Sequence, residues 1–154
     1  MLDNTHHPSD GLLTADLRRA FSLAQYRFEV PEGELLLQID IENDALRRLL
    51  AAIAQDCAAA ITAYNPGGKV QDEASNHRAQ QQLDAELRSL GFSCFPGRHE
   101  DADGRWPAEF STLAVGISCA AACRIAARYG QLAIVWSGAD ARPRLVETGV
   151  LDPL

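Results

Sequence analysis

The sequence predicts an α/β or α+β fold: a single compact domain with a mixed β-sheet flanked by helices and an antiparallel hairpin near the N-terminus. Three observations carry this. Apolar residues recur at a spacing of two in some segments and of three or four in others. The two kinds of segment alternate along most of the chain. No Pro/Gly-rich linker or internal repeat divides them. A length of 154 residues suits one domain, and such a domain buries roughly 68–70% of its unfolded surface without help from disulfides or metal.

Residues 1–13 are polar and aperiodic, contain Pro8 and Gly11, and read as a flexible tail before a domain over 14–154. Thr14 can cap a helix over 15–24, in which Leu17, Ala20, Phe21 and Ala24 share a face. Tyr26, Phe28 and Val30 then alternate, Pro31-Glu32-Gly33 turns, and Leu35, Leu37 and Ile39 alternate again, which predicts a β-hairpin over 25–41. Asn43 caps a helix striped by Leu46, Leu49, Leu50 and Ile53. Residues 58–63 are an apolar strand and 64–72 a loop. Asp72 caps a long helix that buries Ala79, Leu83, Leu87 and Leu90 and stops at Gly91. A short strand at 92–96, a polar loop at 97–109 and a buried strand at 111–117 follow. Ser118 caps a helix over 119–129, and strands at 132–136 and 144–147 complete the set.

The formal net charge of −7 argues against sequence-independent binding to nucleic acid or anionic lipid. Arg47, Arg48, Arg124 and Arg128 are the candidates for a local basic patch. Cys57, Cys94, Cys119 and Cys123 contain no CxxC and read as buried free thiols. No metal site is assigned. His6-His7 falls in the tail, and Asp101 with Asp103-Gly104 is a fragment of a calcium loop better read as a polar turn. No cofactor is implied: phosphate-loop, dinucleotide and nucleophile-elbow patterns are all missing. The start lacks an apolar leader and no run is long enough to span a bilayer, so the expectation is a cytoplasmic protein with no membrane association.

Chemistry concentrates around Ile61-Thr62-Ala63-Tyr64-Asn65-Pro66-Gly67-Gly68, where a buried strand runs into a polar turn. Asn65 precedes proline and is expected to be extended. Pro66-Gly67 fits the centre of a type II turn. Tyr64 and Asn65 are thereby held at a strand end, where sheet proteins often bind ligands; the plainer reading is a structural turn. Asn76 lies on the stripe of Ala79 and Leu83, so an amide faces the core. It either ties the 64–68 loop to the helix or lines a pocket there. Glu109 and Ser111 flank the start of a buried strand. Glu109 can serve as a general acid or base, or simply cap or pair. Gln131 leads into the LAIVW strand and either satisfies loop backbone or contacts a ligand.

The set ITAYNP, Asn76 with Arg78 and Leu83, Trp106-Pro107-Ala108-Glu109-Phe110-Ser111, and Tyr129-Gly130-Gln131 with Ala133-Ile134-Val135 resembles domain-of-unknown-function family 3293, small bacterial proteins. The resemblance covers about residues 20–146. Phe110 stands where that pattern leads one to expect a small residue or proline. The resemblance implies a shared fold and a shared polar set, and carries no activity or substrate.

Two functions follow as expectations. In the first, Tyr64, Asn65, Asn76, Glu109, Ser111 and Gln131 converge on one cleft that binds a small polar molecule. In the second, these residues are scaffolding of a non-catalytic protein-interaction domain that offers the strand edges at 25–41 or 144–147 to a protein partner. The sequence does not decide whether the chain is an enzyme.

Overall fold

The computed structural model describes residues 13–150. Apart from Leu13, the expected tail and its His6-His7 pair lie outside the described residues. Four α-helices form among the described residues: α1 (Ala15–Leu23), α2 (Asp44–Ile53), α3 (Glu73–Ser89) and α4 (Cys119–Arg128). Each begins at the cap residue its sequence offers. Thr14, Asn43, Asp72 and Ser118 accept the backbone N–H of Leu17, Leu46, Ser75 and Ala121 at 2.9–3.2 Å, an interaction worth about 1 kcal/mol apiece.

The strands are β1 (Gln25–Val30), β2 (Gly33–Leu37), β3 (Ala58–Ile61), β4 (Ser93–Glu100), β5 (Glu109–Val115), β6 (Ala133–Ser137) and β7 (Arg144–Glu147). They form one sheet in the order β2-β1-β4-β5-β3-β6-β7. Every pairing is antiparallel, so the expected mixed sheet is corrected to an all-antiparallel one and the domain is α+β. The alternation of strand and helix misleads for a definite reason. α3 links β3 to β4, which run in the same sense with β5 between them, and α4 links β5 to β6 with β3 between them. Each helical crossover skips a place, and an oppositely directed strand fills it.

Crossover handedness then distributes the helices. The connections through α3 and α4 run in opposite directions across the sheet between strands of opposite sense, which puts both helices on one face. The connection through α2 crosses to the other face. Two cores result. Tyr26, Phe28, Leu35, Leu37, Leu113 and Val115 pack with Leu46, Leu49 and Leu50 of α2. Ile61, Ala114 and Ile134 pack with Leu83 and Leu87 of α3 and Ala122, Cys123 and Ala126 of α4. Leu90, expected in that second core, is the C-cap of α3 and is 56% exposed.

β4 is longer than the sequence suggests, running through Pro96 and Gly97 to Glu100. Pro96 is tolerated because it lies one residue beyond the last β1–β4 pair, Phe28 with Gly97, where β4 has a free side. Gly97 is required there: a Cβ would lie 2.0 Å from the Arg27 carbonyl oxygen and 2.3 Å from the Phe28 ring.

Candidate functional site

α2 covers only part of its face. At the other end, where β3 leaves the sheet and β5 enters it, lies a cavity of about 270 Å³. Leu17 and Phe21 of α1 line one side of it, and the 64–73 segment and Trp106-Pro107-Ala108 line others. The walls are mostly apolar and include Ala60, Leu132, Ala133, Val135 and Leu145. No residue of α1 is fully buried, although Leu17, Ala20 and Phe21 face inward as its pattern requires.

The turn after β3 is built from amides. Gln80 Oε1 accepts the Ala63 N–H at 2.7 Å, and Thr62 Oγ1 accepts that of Tyr64 at 3.1 Å. Gly68 N–H closes the turn on the Asn65 carbonyl at 2.9 Å, and Gly67 has the positive φ, 68°, that the third position of a type II turn demands. Asn65 itself is not extended, contrary to the expectation for a residue before proline; it is left-handed at φ 47°, ψ 63°. Asn76 supplies the reason. Its Oδ1 accepts the Asn65 N–H at 2.8 Å, and its Nδ2 donates to Asn65 Oδ1 at 2.9 Å. This two-way clamp offsets the roughly 1–2 kcal/mol cost of a left-handed residue, which asparagine bears better than most.

Opposite the turn, three cross-strand neighbours form a row on β1, β4 and β5: Tyr26, His99 and Glu109. The Tyr26 and His99 rings are 5.3 Å apart, and Phe21 meets His99 edge-on at 6.5 Å. His99 Nε2 is 3.1 Å from Glu109 Oε1. That is ion-pair distance, so the carboxylate is this buried nitrogen's polar neighbour. Glu109 Oε2 accepts from Asn65 Nδ2 at 2.9 Å, joining the row to the turn. Burial alone would raise the Glu109 pKa; His99 and Asn65 outweigh it and hold the carboxyl below its ordinary value, ionised at neutral pH. Burial and the Glu109 charge push the Tyr26 phenol up, so it stays protonated and donates to the Phe21 carbonyl at 2.6 Å.

Tyr64, Asn65, Asn76, Glu109, Ser111 and Gln131 all line this one cavity. Their bonding separates them. Asn65 and Asn76 are occupied with each other and with Gln71, and Gln131 Nε2 donates to the Tyr64 carbonyl at 3.0 Å. Tyr64 donates its phenol to Glu73 at 2.7 Å, and burial followed by that carboxylate keeps it protonated. Ser111 is 4% exposed and its Oγ has no partner among the described residues. Sequence reasoning passed over His99, Tyr26, Phe21 and Trp106. A strand read through Pro96 to residue 100 would have placed His99 beside Glu109.

Arg47 pairs with Glu42 and Asp44, Arg48 with Glu32, and Arg128 with Glu86. Since α2 and α4 lie on opposite faces, these arginines do not form one basic patch. Cys94 and Cys123 are buried, whereas Cys57 and Cys119 are half-buried; all four are free thiols. Among the described residues no three His, Cys, Asp or Glu side chains gather as a metal site, and no helix is long and apolar enough to cross a membrane.

Fold and cavity together define a single-domain α+β protein whose polar groups meet at one end of an antiparallel sheet. Residues 61–134, which hold the turn, α3, Glu109, Ser111 and Gln131, match the family described as "Protein of unknown function (DUF3293)". No curated protein and no solved structure matches the chain.

Proposed function

We propose that the protein binds a small molecule, with an apolar body and a polar head, in the cavity beside the 64–68 turn. The observation that carries this reading is a buried polar atom, Ser111 Oγ, without a hydrogen-bond partner among the described residues, on a residue that lines an otherwise apolar space. Buried polar groups in native proteins are nearly always satisfied, and a ligand donor or acceptor would satisfy this one. The saturated amides of Asn65, Asn76 and Gln131 then shape the wall, and Tyr64, Glu109 and Ser111 face the occupant.

A non-catalytic protein-interaction role has support in that same saturation and in the open edges of β2 and β7. It leaves Ser111 unexplained. The test is a fragment and metabolite screen by thermal shift, repeated on Ala133→Phe, which fills the cavity from β6. A ligand at about 100 times its Kd stabilises by roughly 2.7 kcal/mol. Hits lost in a folded Ala133→Phe support the reading. Hits that persist unchanged in it, or a screen without hits, refute it.

A further inference from the structure

We infer that the occupant of this cavity is a compact organic cation, an amine or quaternary ammonium on an apolar skeleton; this rests on the small-molecule reading above. The lining charges point that way. Glu73 and Glu109 face the cavity, and no Arg or Lys does among the described lining residues. His99 Nε2 lies 3.1 Å from Glu109 Oε1 and faces the same space. An anion placed beside Glu109 would be repelled by its carboxylate, and a mostly apolar lining screens that repulsion weakly.

The aromatic groups point the same way independently. Aromatic residues are scarce at 6% of the chain, yet Phe21, Tyr26, Tyr64 and Trp106, four of its ten Phe, Tyr and Trp, line this one space. They arrive from α1, β1, the turn after β3 and the β4–β5 loop, so the gathering is a product of the fold and of no single segment. Rings around a carboxylate are the recurrent surroundings of bound ammonium groups, because each ring face attracts positive charge. The Ser111 hydroxyl, without a partner among the described residues, adds an acceptor for an ammonium N–H.

The experiment titrates four probes that share one ring, benzylamine, benzyltrimethylammonium, benzyl alcohol and benzoate, into the protein by heteronuclear NMR at pH 7.5. The two cations are expected to bind at least 10-fold tighter than the alcohol, with shifts clustered at Tyr26, His99 and Ser111, and benzoate is expected not to bind. Glu109→Gln should weaken the cations about 10-fold and leave the alcohol unchanged. Trp106→Leu, a milder change in a half-buried loop residue, should weaken both cations and most of all the quaternary one. Equal or tighter binding of the alcohol or benzoate overturns the cationic class and leaves the small-molecule reading standing. Absence of binding by all four overturns the cationic class as well; the broader screen of the previous section then decides the reading itself.

Discussion

Replacing Asn76 by alanine tests whether the amide clamp, and not chain connectivity, sets the turn at the cavity. Asn76 is 3% exposed, so water does not replace what it offers. The substitution removes the acceptor of the Asn65 N–H (2.8 Å) and of Gln71 Nε2 (2.8 Å), and the donor to Asn65 Oδ1 (2.9 Å). Gln71 is half-buried and can turn to solvent, and Asn65 Oδ1 keeps the Gln71 backbone N–H at 3.1 Å. The Asn65 N–H loses its acceptor, at about 1–3 kcal/mol for a buried donor left unpaired. The other two bonds add roughly 0.5–1.5 kcal/mol each. Better helix propensity returns about 0.5 kcal/mol. The expected loss is about 1.5–5.5 kcal/mol, a large share of the roughly 5–15 kcal/mol that holds a domain of this kind folded. Urea titration should show a lower midpoint at unchanged slope, and hydrogen exchange should show the Asn65 amide losing protection while β3 keeps its own. A loss under 1 kcal/mol, or an Asn65 amide as protected as before, would refute the clamp.

Three further outcomes follow from the packing and the charges. Gly97→Ala should leave the protein insoluble or without a cooperative transition by circular dichroism, because the new methyl meets the Arg27 carbonyl, a backbone atom that cannot step aside; a folded variant with a wild-type midpoint would contradict the β1–β4 register. Leu83→Ala, in a fully buried site between α3 and the sheet, should cost about 2–5 kcal/mol by urea titration, and a cost below 1 kcal/mol would move α3 off that face. Glu86, Glu100, Glu109, Asp72 and Asp140 are all held below the ordinary values of 4.5 and 3.8. A carboxyl depressed in the folded state contributes stability above its unfolded value and loses it as the pH falls through the folded one. The urea midpoint should therefore hold from pH 7 to about 5 and decline below about 4.5, less steeply in Glu109→Gln; a midpoint that rises on acidification would reverse the sign.

Helix starts were legible from local signals. Thr14, Asn43, Asp72 and Ser118 cap the helices they begin, since a cap is decided within four residues. Asn76 could be placed on the inner stripe of α3 by counting back from Leu83. What needed three dimensions stayed hidden. The direction of β5 relative to β3 and β4 depends on which strand fills the place a crossover leaves, and no periodicity records that. His99 was obscured because Pro96 and Gly97 read as the end of a strand, a rule that holds only where a neighbour needs the missing N–H. The left-handed Asn65 reversed the usual effect of a following proline because a side chain from another helix outbid it.

The sheet order also constrains how the cavity comes into being. β3, in the interior of the sheet, pairs with β5 and β6, whose partner residues lie some 50 to 80 positions further along, and β1 waits for β4. Pairings this distant close slowly, and the emerging N-terminal half has no complete sheet to join. The cavity, bounded by residues from Leu17 to Leu145, exists only when these distant segments have come together. An occupant would recognise only finished molecules, and its binding would report the integrity of the whole chain from residue 17 to residue 145.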